Sequence, residues 1–316
     1  MTAESFDTLV LGGGLRGLQA GLQERRAAPD ARLQVIEAAP WPGGNLRTQR
    51  TNGFVCELGA FAFAEAELAP WRALLPDLPP AIEARPAART GLLQTASGPQ
   101  PIAVEPLPLA FRGGNETLVQ ACRRRLGDAL RLGRAVTAVD HDGDGFVVRL
   151  GGEVPADERT RDLIVALPAV VAGRLFARFD PNLGAVADRV ATDGRAFAFF
   201  GGSSNAAAPI RGYGILPAAD LATPVAEVIF CSEVFPDRAL PGRFLIRVEL
   251  AGPPDVSDTD TLALAERELR AWTGITAGFG LRKLHRFAVE VTDGALAECK
   301  ARLRDLPRRV PGLTVL

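Results

Sequence analysis

The residues of this chain best suited to chemistry stand at its start. An apolar run over 6–11 leads straight into Gly12-Gly13-Gly14-Leu15-Arg16-Gly17, and a second short apolar run over 33–36 ends on Glu37. Gly12, Gly14 and Gly17 have the spacing of a dinucleotide-binding turn. The first glycine makes the tight turn, the second lets backbone approach a pyrophosphate, and the third lets a helix pack closely on the strand. Backbone N–H groups at the helix start would then face phosphates, where the helix dipole favours negative charge. Glu37 sits about where a carboxylate should accept both ribose hydroxyls, an acid roughly 20 residues on being the expected partner. The competing reading is a glycine-rich turn in an ordinary α/β domain. The strand, helix and terminal acid, all in order, favour the nucleotide site.

Those residues need a strand, a helix and a second strand to hold them. Residues 1–60 read in that order, with helical spacing through Leu18 and Leu22, then a Gly-rich turn and a short extended piece. From 70 to 108 proline and alanine are dense, which predicts a connector with short turns rather than a packed layer. Helical spacing resumes after Gly113-Gly114-Asn115 through Leu118, Cys122 and Leu126. Strands are predicted over 135–139 and 146–150 with a hairpin turn at 140–145, then a buried strand over 163–167 stopped by Pro168, and a helix to about 175. Antiparallel strands follow between 195 and 250, then a helix over 261–272, a strand near 284–289, a helix near 295–303 and a last strand over 313–316. Parallel βαβ elements at both ends with antiparallel strands between them predict an α/β protein of two interleaved domains.

Composition narrows the function classes. Among 316 residues, 36 basic against 37 acidic side chains give a formal charge of −1, so there is no electrostatic case for nucleic acid. Only Lys283 and Lys300 are lysines, which reads as a genome bias toward arginine. No apolar run reaches the length of a membrane span and the N-terminus is unlike a signal peptide. Cys56, Cys122, Cys231 and Cys299 are far apart, which suggests neither a zinc site nor a disulfide framework and fits small buried thiols in reducing cytoplasm. His141 and His285 are widely separated, and no metal site is predicted.

Further segments resemble one family. Pro42-Gly43-Gly44-Asn45-Leu46-Arg47-Thr48 resembles the Gly-Gly-x-x-Arg-Thr motif of flavin amine oxidases and protoporphyrinogen oxidases, and Gly53-Phe54 with Glu57-Leu58-Gly59-Ala60 is similar to the extended segment that follows it. Phe111-Arg112-Gly113-Gly114, the strand around Val136 and Ala166-Leu167-Pro168-Ala169 resemble later family segments. In the second half, Gly212-Tyr213-Gly214-Ile215-Leu216-Pro217, Val228 to Ser232, Phe235-Pro236-Asp237-Arg238-Ala239 and Arg247-Val248-Glu249-Leu250-Ala251-Gly252 are similar to protoporphyrinogen oxidases.

The resemblance implies a Rossmann-like FAD-binding domain interleaved with a mainly antiparallel β domain of substrate-binding type. It divides the chain into 1–64 and 111–178 of the FAD-binding domain, a Pro-rich connector at 65–110 in place of the family's helical cap, an antiparallel domain at 179–283, and a return to the first domain at 284–316. It implies FAD as cofactor, with Gly12, Gly13, Gly14 and Gly17 at the pyrophosphate, Glu37 at the ribose, and Gly43, Gly44 and Arg47 on the phosphate and flavin side. Gly59 and Ala60 would approach the isoalloxazine, and Val136 the adenine. Arg16 departs from the small residue usual there, and its charge either helps the pyrophosphate or points outward.

Two larger departures bear on activity. The family's late Trp-x-x-x-Ile-Pro-x-Tyr-x-x-Gly-His motif is replaced by Phe287-Ala288-Val289-Glu290-Val291-Thr292-Asp293-Gly294, and the C-terminal FAD-closing turn and helix are expected to be absent after Leu316. The first expectation is therefore a shortened FAD-dependent oxidoreductase. It would move hydride from a small-molecule carbon, such as a porphyrinogen's, to flavin N5, with reoxidation by oxygen or another acceptor. The second is a non-catalytic nucleotide-binding relative acting as a binding, assembly or regulatory module, alone or completed by a partner chain. A homo- or hetero-oligomer fits both. No catalytic residue is assigned: Tyr213, the only tyrosine, reads either as pocket-facing or as core.

Overall fold

The computed structural model describes residues 4–152, 155–204, 210–251 and 256–316, so that Gly252 of the family-like stretch lies outside the described residues. Two seven-stranded sheets organise the chain. The first has a parallel core in the order Leu130–Arg131, Leu33–Ile36, Glu4–Leu11, the C-terminal half of Ala156–Val165, and Leu313–Val315. Where both faces are covered its strands are apolar: Leu9, Val10, Leu11 and Val35 are fully buried. Helices Leu15–Ala27 and Glu116–Leu126 pack on one face, and Ala169–Leu175, Pro181–Arg189 and Gly294–Asp305 on the other. The ten-residue strand Ala156–Val165 also serves a second purpose. Its first half pairs antiparallel with Phe146–Leu150, which pairs with Val136–His141 across the expected turn, where Asp142 N–H donates to the Gly145 carbonyl at 3.1 Å.

The second sheet runs Leu281–Glu290, Thr192–Ser203, Arg243–Ala251, Val225–Ile229, Gly214–Pro217, Thr90–Thr95, Gly98–Ala103. It is antiparallel except for the pair Gly214–Pro217 with Thr90–Thr95. Helix Asp258–Thr273 covers one face through Ala265 and Leu269, starting on a Ser257 cap and ending at a left-handed Gly274. The other face, with Phe197, Phe199, Ile229 and Leu245, packs on Phe54, Leu58, Phe61 and Ala110 from the first half of the chain.

Two expectations need correction. The Pro-rich stretch is not a plain connector, because Glu65–Leu74 is a helix and Thr90–Ala103 is a hairpin that extends the second sheet. Pro99 and Pro101 lie on the outermost strand, where a missing N–H leaves no ladder bond unmade. Pro70 is tolerated inside the helix because Leu68 and Trp71 bury into the core of the first sheet, and tertiary packing outweighs the lost backbone bond. The strand Leu281–Glu290 lies wholly in the second sheet, and Pro181–Arg189 packs on the first, so chain exchange between the two bodies falls at different places from 179 and 284.

Candidate functional site

At the C-terminal end of Glu4–Leu11 the chain turns through Gly12 with φ +102°, and a Cβ there would lie 2.6 Å from the Ala166 carbonyl oxygen. A Cβ on Gly17 would come within 1.8 Å of the Gly12 carbonyl oxygen, so the first helix can seat on the turn only with glycine at that position. Gly14, the residue before the helix, has extended backbone and nothing within 4 Å of where its Cβ would be. A side chain is excluded at Gly17 by the protein itself. At Gly14 the space is open, as a backbone surface for a ligand requires. Glu37 reaches back across the turn: Gly13 N–H donates to its Oε2 at 2.6 Å and Ala39 N–H to its Oε1 at 2.7 Å. Each oxygen keeps a lone pair for a hydroxyl.

The second glycine pair extends this surface. Gly43 N–H donates to the Gly13 carbonyl at 2.7 Å, and Gly14 and Gly43 form a parallel bridge, with Gly44 exposed beside them. Leu58 N–H donates to the Arg47 carbonyl at 2.8 Å, and the Arg47 guanidinium lies 4.2 Å over the Trp41 ring. Gly59 passes so close that a Cβ would stand 2.0 Å from the Asn45 carbonyl oxygen, while Ala60 beside it is exposed. At the other end, Arg134 N–H donates to the Glu37 carbonyl at 2.9 Å and Gly133 N–H to the Ala39 carbonyl at 2.9 Å, which brings the strand beginning at Val136 beside Glu37. The structure thus places the predicted residues along one strip: Val136, Glu37, the 12–17 turn, Gly43-Gly44, Arg47, Gly59-Ala60.

The far end of the strip is held by buried charges to which sequence reasoning assigned no role. Arg247 donates to the Gly59 carbonyl at 2.8 Å and stacks 4.2 Å over Phe197. Glu227 lies 3.6 Å from Arg247 and accepts the Tyr213 hydroxyl at 3.2 Å. Burial lifts the Glu227 carboxyl above its usual range against the pull of Arg247, and burial beside Glu227 raises the Tyr213 phenol, which stays a neutral donor. Tyr213 is part of the packing that fixes Gly59. Behind it, Arg238 is fully buried against Glu57, 3.2 Å from Oε1, and Glu57 also accepts Thr48 Oγ1 at 2.7 Å and Asn115 N–H at 2.9 Å. Asp237 accepts Gly113 N–H at 2.6 Å and braces the same arginine. The sequence carried a usable sign of this network: Glu57 ends the apolar run that begins at Phe54, and Arg247 stands between apolar Phe244–Ile246 and Val248.

The strand Leu281–Glu290 supplies a wall near Arg47. His285 stacks against Phe287, with ring centroids 6.2 Å apart, and Phe287 packs on Phe197 at 4.6 Å. Burial, reinforced by the charges of Arg47 and Lys283, pushes the His285 imidazole below its usual range and favours the neutral ring. Among the described residues, no cluster of three or more His, Cys, Asp or Glu could hold a metal, and no helix is long and apolar enough to cross a membrane.

Comparison with known proteins places this arrangement. Residues 10–78 match a model described as an NAD(P)-binding Rossmann-like domain, and residues 83–312 match the flavin containing amine oxidoreductase model. Among solved structures, a protein from Exiguobacterium sp. 255-15 provisionally named a protoporphyrinogen oxidase superposes with a TM-score of 0.82 at 14% identity, over 100% of this chain and 94% of that one. Reduced UDP-galactopyranose mutase gives 0.78 at 11% identity over 98% and 87% of the two chains. Putrescine oxidase bound to putrescine gives 0.72 at 13% identity over 99% and 93%. At these identities the structures share the fold. With most of its length matched by the family model, this chain belongs to the flavin-containing amine oxidoreductases.

Proposed function

We propose that the protein is an FAD-dependent oxidoreductase that oxidises a carbon centre of a small, carboxylate-bearing molecule, a porphyrinogen being the substrate class its motifs resemble. The observation that carries this reading is the continuous strip from Glu37 through Gly13, Gly14 and Gly43 to Gly59. Its open backbone at Gly14 fits a pyrophosphate, and Glu37 fits a ribose without a 2′-phosphate. The strip runs on past the phosphate site to Arg47, Gly59 and Ala60, farther than a nucleotide half alone requires. Acceptance of hydride from carbon is the chemistry a bound flavin supplies. The protein's own residues position and screen: Arg247 holds the Gly59 carbonyl, and Phe197 and Phe287 offer apolar faces. Arg47 and Lys283 make the wall cationic, which suits a carboxylate-bearing substrate better than a diamine such as the putrescine seen in one neighbour.

One observation favours the second reading, a binding or assembly module. The segment 287–294 contains no Trp, Tyr or His where the family motif has all three, and its last residue already begins the next helix. The test is the visible spectrum of the purified protein, followed by anaerobic addition of protoporphyrinogen or coproporphyrinogen. Near-stoichiometric flavin that bleaches on addition supports the oxidoreductase. Bound flavin that stays oxidised favours the module, and a colourless protein that takes up no added FAD overturns the cofactor assignment.

A further inference from the structure

On the side of the glycine turn away from Glu37, the ends of the parallel strands open into a cavity of about 330 Å³. Three cations from two helices line it: Arg16 in the first turn of Leu15–Ala27, and Lys300 and Arg304, four apart and so on one face of Gly294–Asp305. Among the described residues, none of the three side chains has a hydrogen bond or ion pair. Arg302, on the same helix, is held by Glu298 at 3.0 Å and Asp180 at 3.3 Å. Glu290 is the carboxylate on the cavity wall, and its Oε1 already accepts Val170 N–H at 2.9 Å. The cavity's lining side chains therefore set three positive charges against one negative. It also adjoins the phosphate-binding turn directly, since Leu167 Cδ2 on its wall lies 3.2 Å from where a Cβ on Gly12 would be.

Cations held within a Debye length of one another without partners repel, and an anion seated among them removes that repulsion. The N-terminus of Leu15–Ala27 adds to the same positive potential. We infer that Arg16, Lys300 and Arg304 form a phosphate seat that grips the pyrophosphate of the bound dinucleotide from the side opposite its ribose. This rests on the dinucleotide reading above and assigns a role to Arg16, whose side chain replaces the small residue usual at that position.

The test is isothermal titration of the purified chain with FAD, riboflavin and inorganic pyrophosphate, at low and high salt. The variants are a neutralised triple (R16A, K300A, R304A) and a charge-conserving triple (R16K, K300R, R304K). All three side chains are exposed, and a melting temperature equal to the parent's confirms the fold of each variant. At low salt the neutralised triple should weaken FAD binding by about 10- to 100-fold, an effect that shrinks in high salt, where the Debye length falls to a few Å. The charge-conserving triple should stay within about threefold of the parent, and riboflavin, which has no phosphate, should bind all three proteins alike. A neutralised triple that binds FAD as tightly as the parent overturns the seat and leaves the flavoprotein reading intact. Should the parent fail to bind FAD, the dinucleotide reading falls. The seat as a grip on that dinucleotide falls with it, whether or not inorganic pyrophosphate still binds.

Discussion

Replacing Arg238 with Met tests whether the ion pair behind the Gly59 segment holds the two bodies together. The guanidinium is fully buried, 3.2 Å from Glu57 Oε1, and its nitrogens also approach the Phe111 carbonyl at 3.3 Å. Methionine fills much of the space but leaves the Glu57 carboxylate, itself 2% exposed, without a counter-charge. Breaking a buried pair in this way costs about 3–5 kcal/mol. A second route gives a similar bound. Burial lifts the Glu57 carboxyl and Arg238 is the strongest opposing influence, so without the arginine the carboxyl is free to take a proton. For a group whose ordinary value is 4.5, protonation at pH 7 costs up to about 3.4 kcal/mol, at about 1.36 kcal/mol per pH unit. At pH 5 the same step costs about 0.7 kcal/mol. The sign follows: a carboxyl whose folded pKa is raised contributes stability that is full below its unfolded value and lost as pH rises through the folded one. Urea unfolding followed by tryptophan fluorescence should therefore show a large loss for R238M at pH 7 that mostly recovers by pH 5. The double variant R238M/E57Q should remove the pH dependence and regain about 2–3 kcal/mol at pH 7. A loss under about 1 kcal/mol, or one equal at the two pH values, would refute Arg238 as the group that offsets the burial of Glu57.

Two further outcomes separate ligand contact from packing. Gly14→Ala should leave the melting temperature unchanged, because its Cβ meets nothing within 4 Å, yet lower flavin content measured by absorbance. Gly17→Ala should lose both flavin and about 1–3 kcal/mol of stability, since its Cβ would stand 1.8 Å from the Gly12 carbonyl oxygen. If both variants keep flavin, the strip is not the cofactor site. Asp180 caps the helix Pro181–Arg189 through Asn182 N–H at 3.0 Å, and D180A should cost about 1–2 kcal/mol at pH 7 by urea unfolding. Burial alone would raise the Asp180 carboxyl, but the Asn182 N–H, then Arg302 and Arg309, outweigh it and hold it below its usual range. That stability is present above the unfolded value of 3.8 and lost as pH falls through the folded one, so parent and variant should converge in acid.

The parts of this molecule legible in the sequence are those whose cause is local. Strands covered on both faces are rich in apolar residues, so the apolar ends of Glu4–Leu11 and Leu33–Ile36 could be read directly, and with them the Gly12–Gly17 turn and Glu37. The same logic misread the stretch after residue 70. Proline argues against a strand only where the ladder needs its N–H, and whether Pro99 and Pro101 lie at an edge depends on which strand comes to lie beside Thr90–Thr95. Edge position belongs to the sheet, not to the segment. Buried charge raises the same difficulty in sharper form. Glu57, Arg238 and Arg247 each stood inside a family-like stretch, but a charge in an apolar strand can be read only once its partner is known.

Arg16 shows where that limit bears on function. In the sequence it is a single charge in a phosphate turn, able to point either way. The fold brings the helix Gly294–Asp305 beside the same strand ends that carry the glycine turn, and the cavity there gives Arg16 two cationic neighbours and, among the described residues, no carboxylate partner. Positive charge left unpaired beside a phosphate-binding turn lowers the free energy of the anion-bound state without stabilising the empty one. Arg302 on that helix is held by two acids, Glu298 and Asp180. What favours an anion in the cavity is the gathering of three cations from two helices on one wall: the same helix pairs Arg302 with acids and leaves Lys300 and Arg304, which line the cavity with Arg16, without an acidic partner among the described residues.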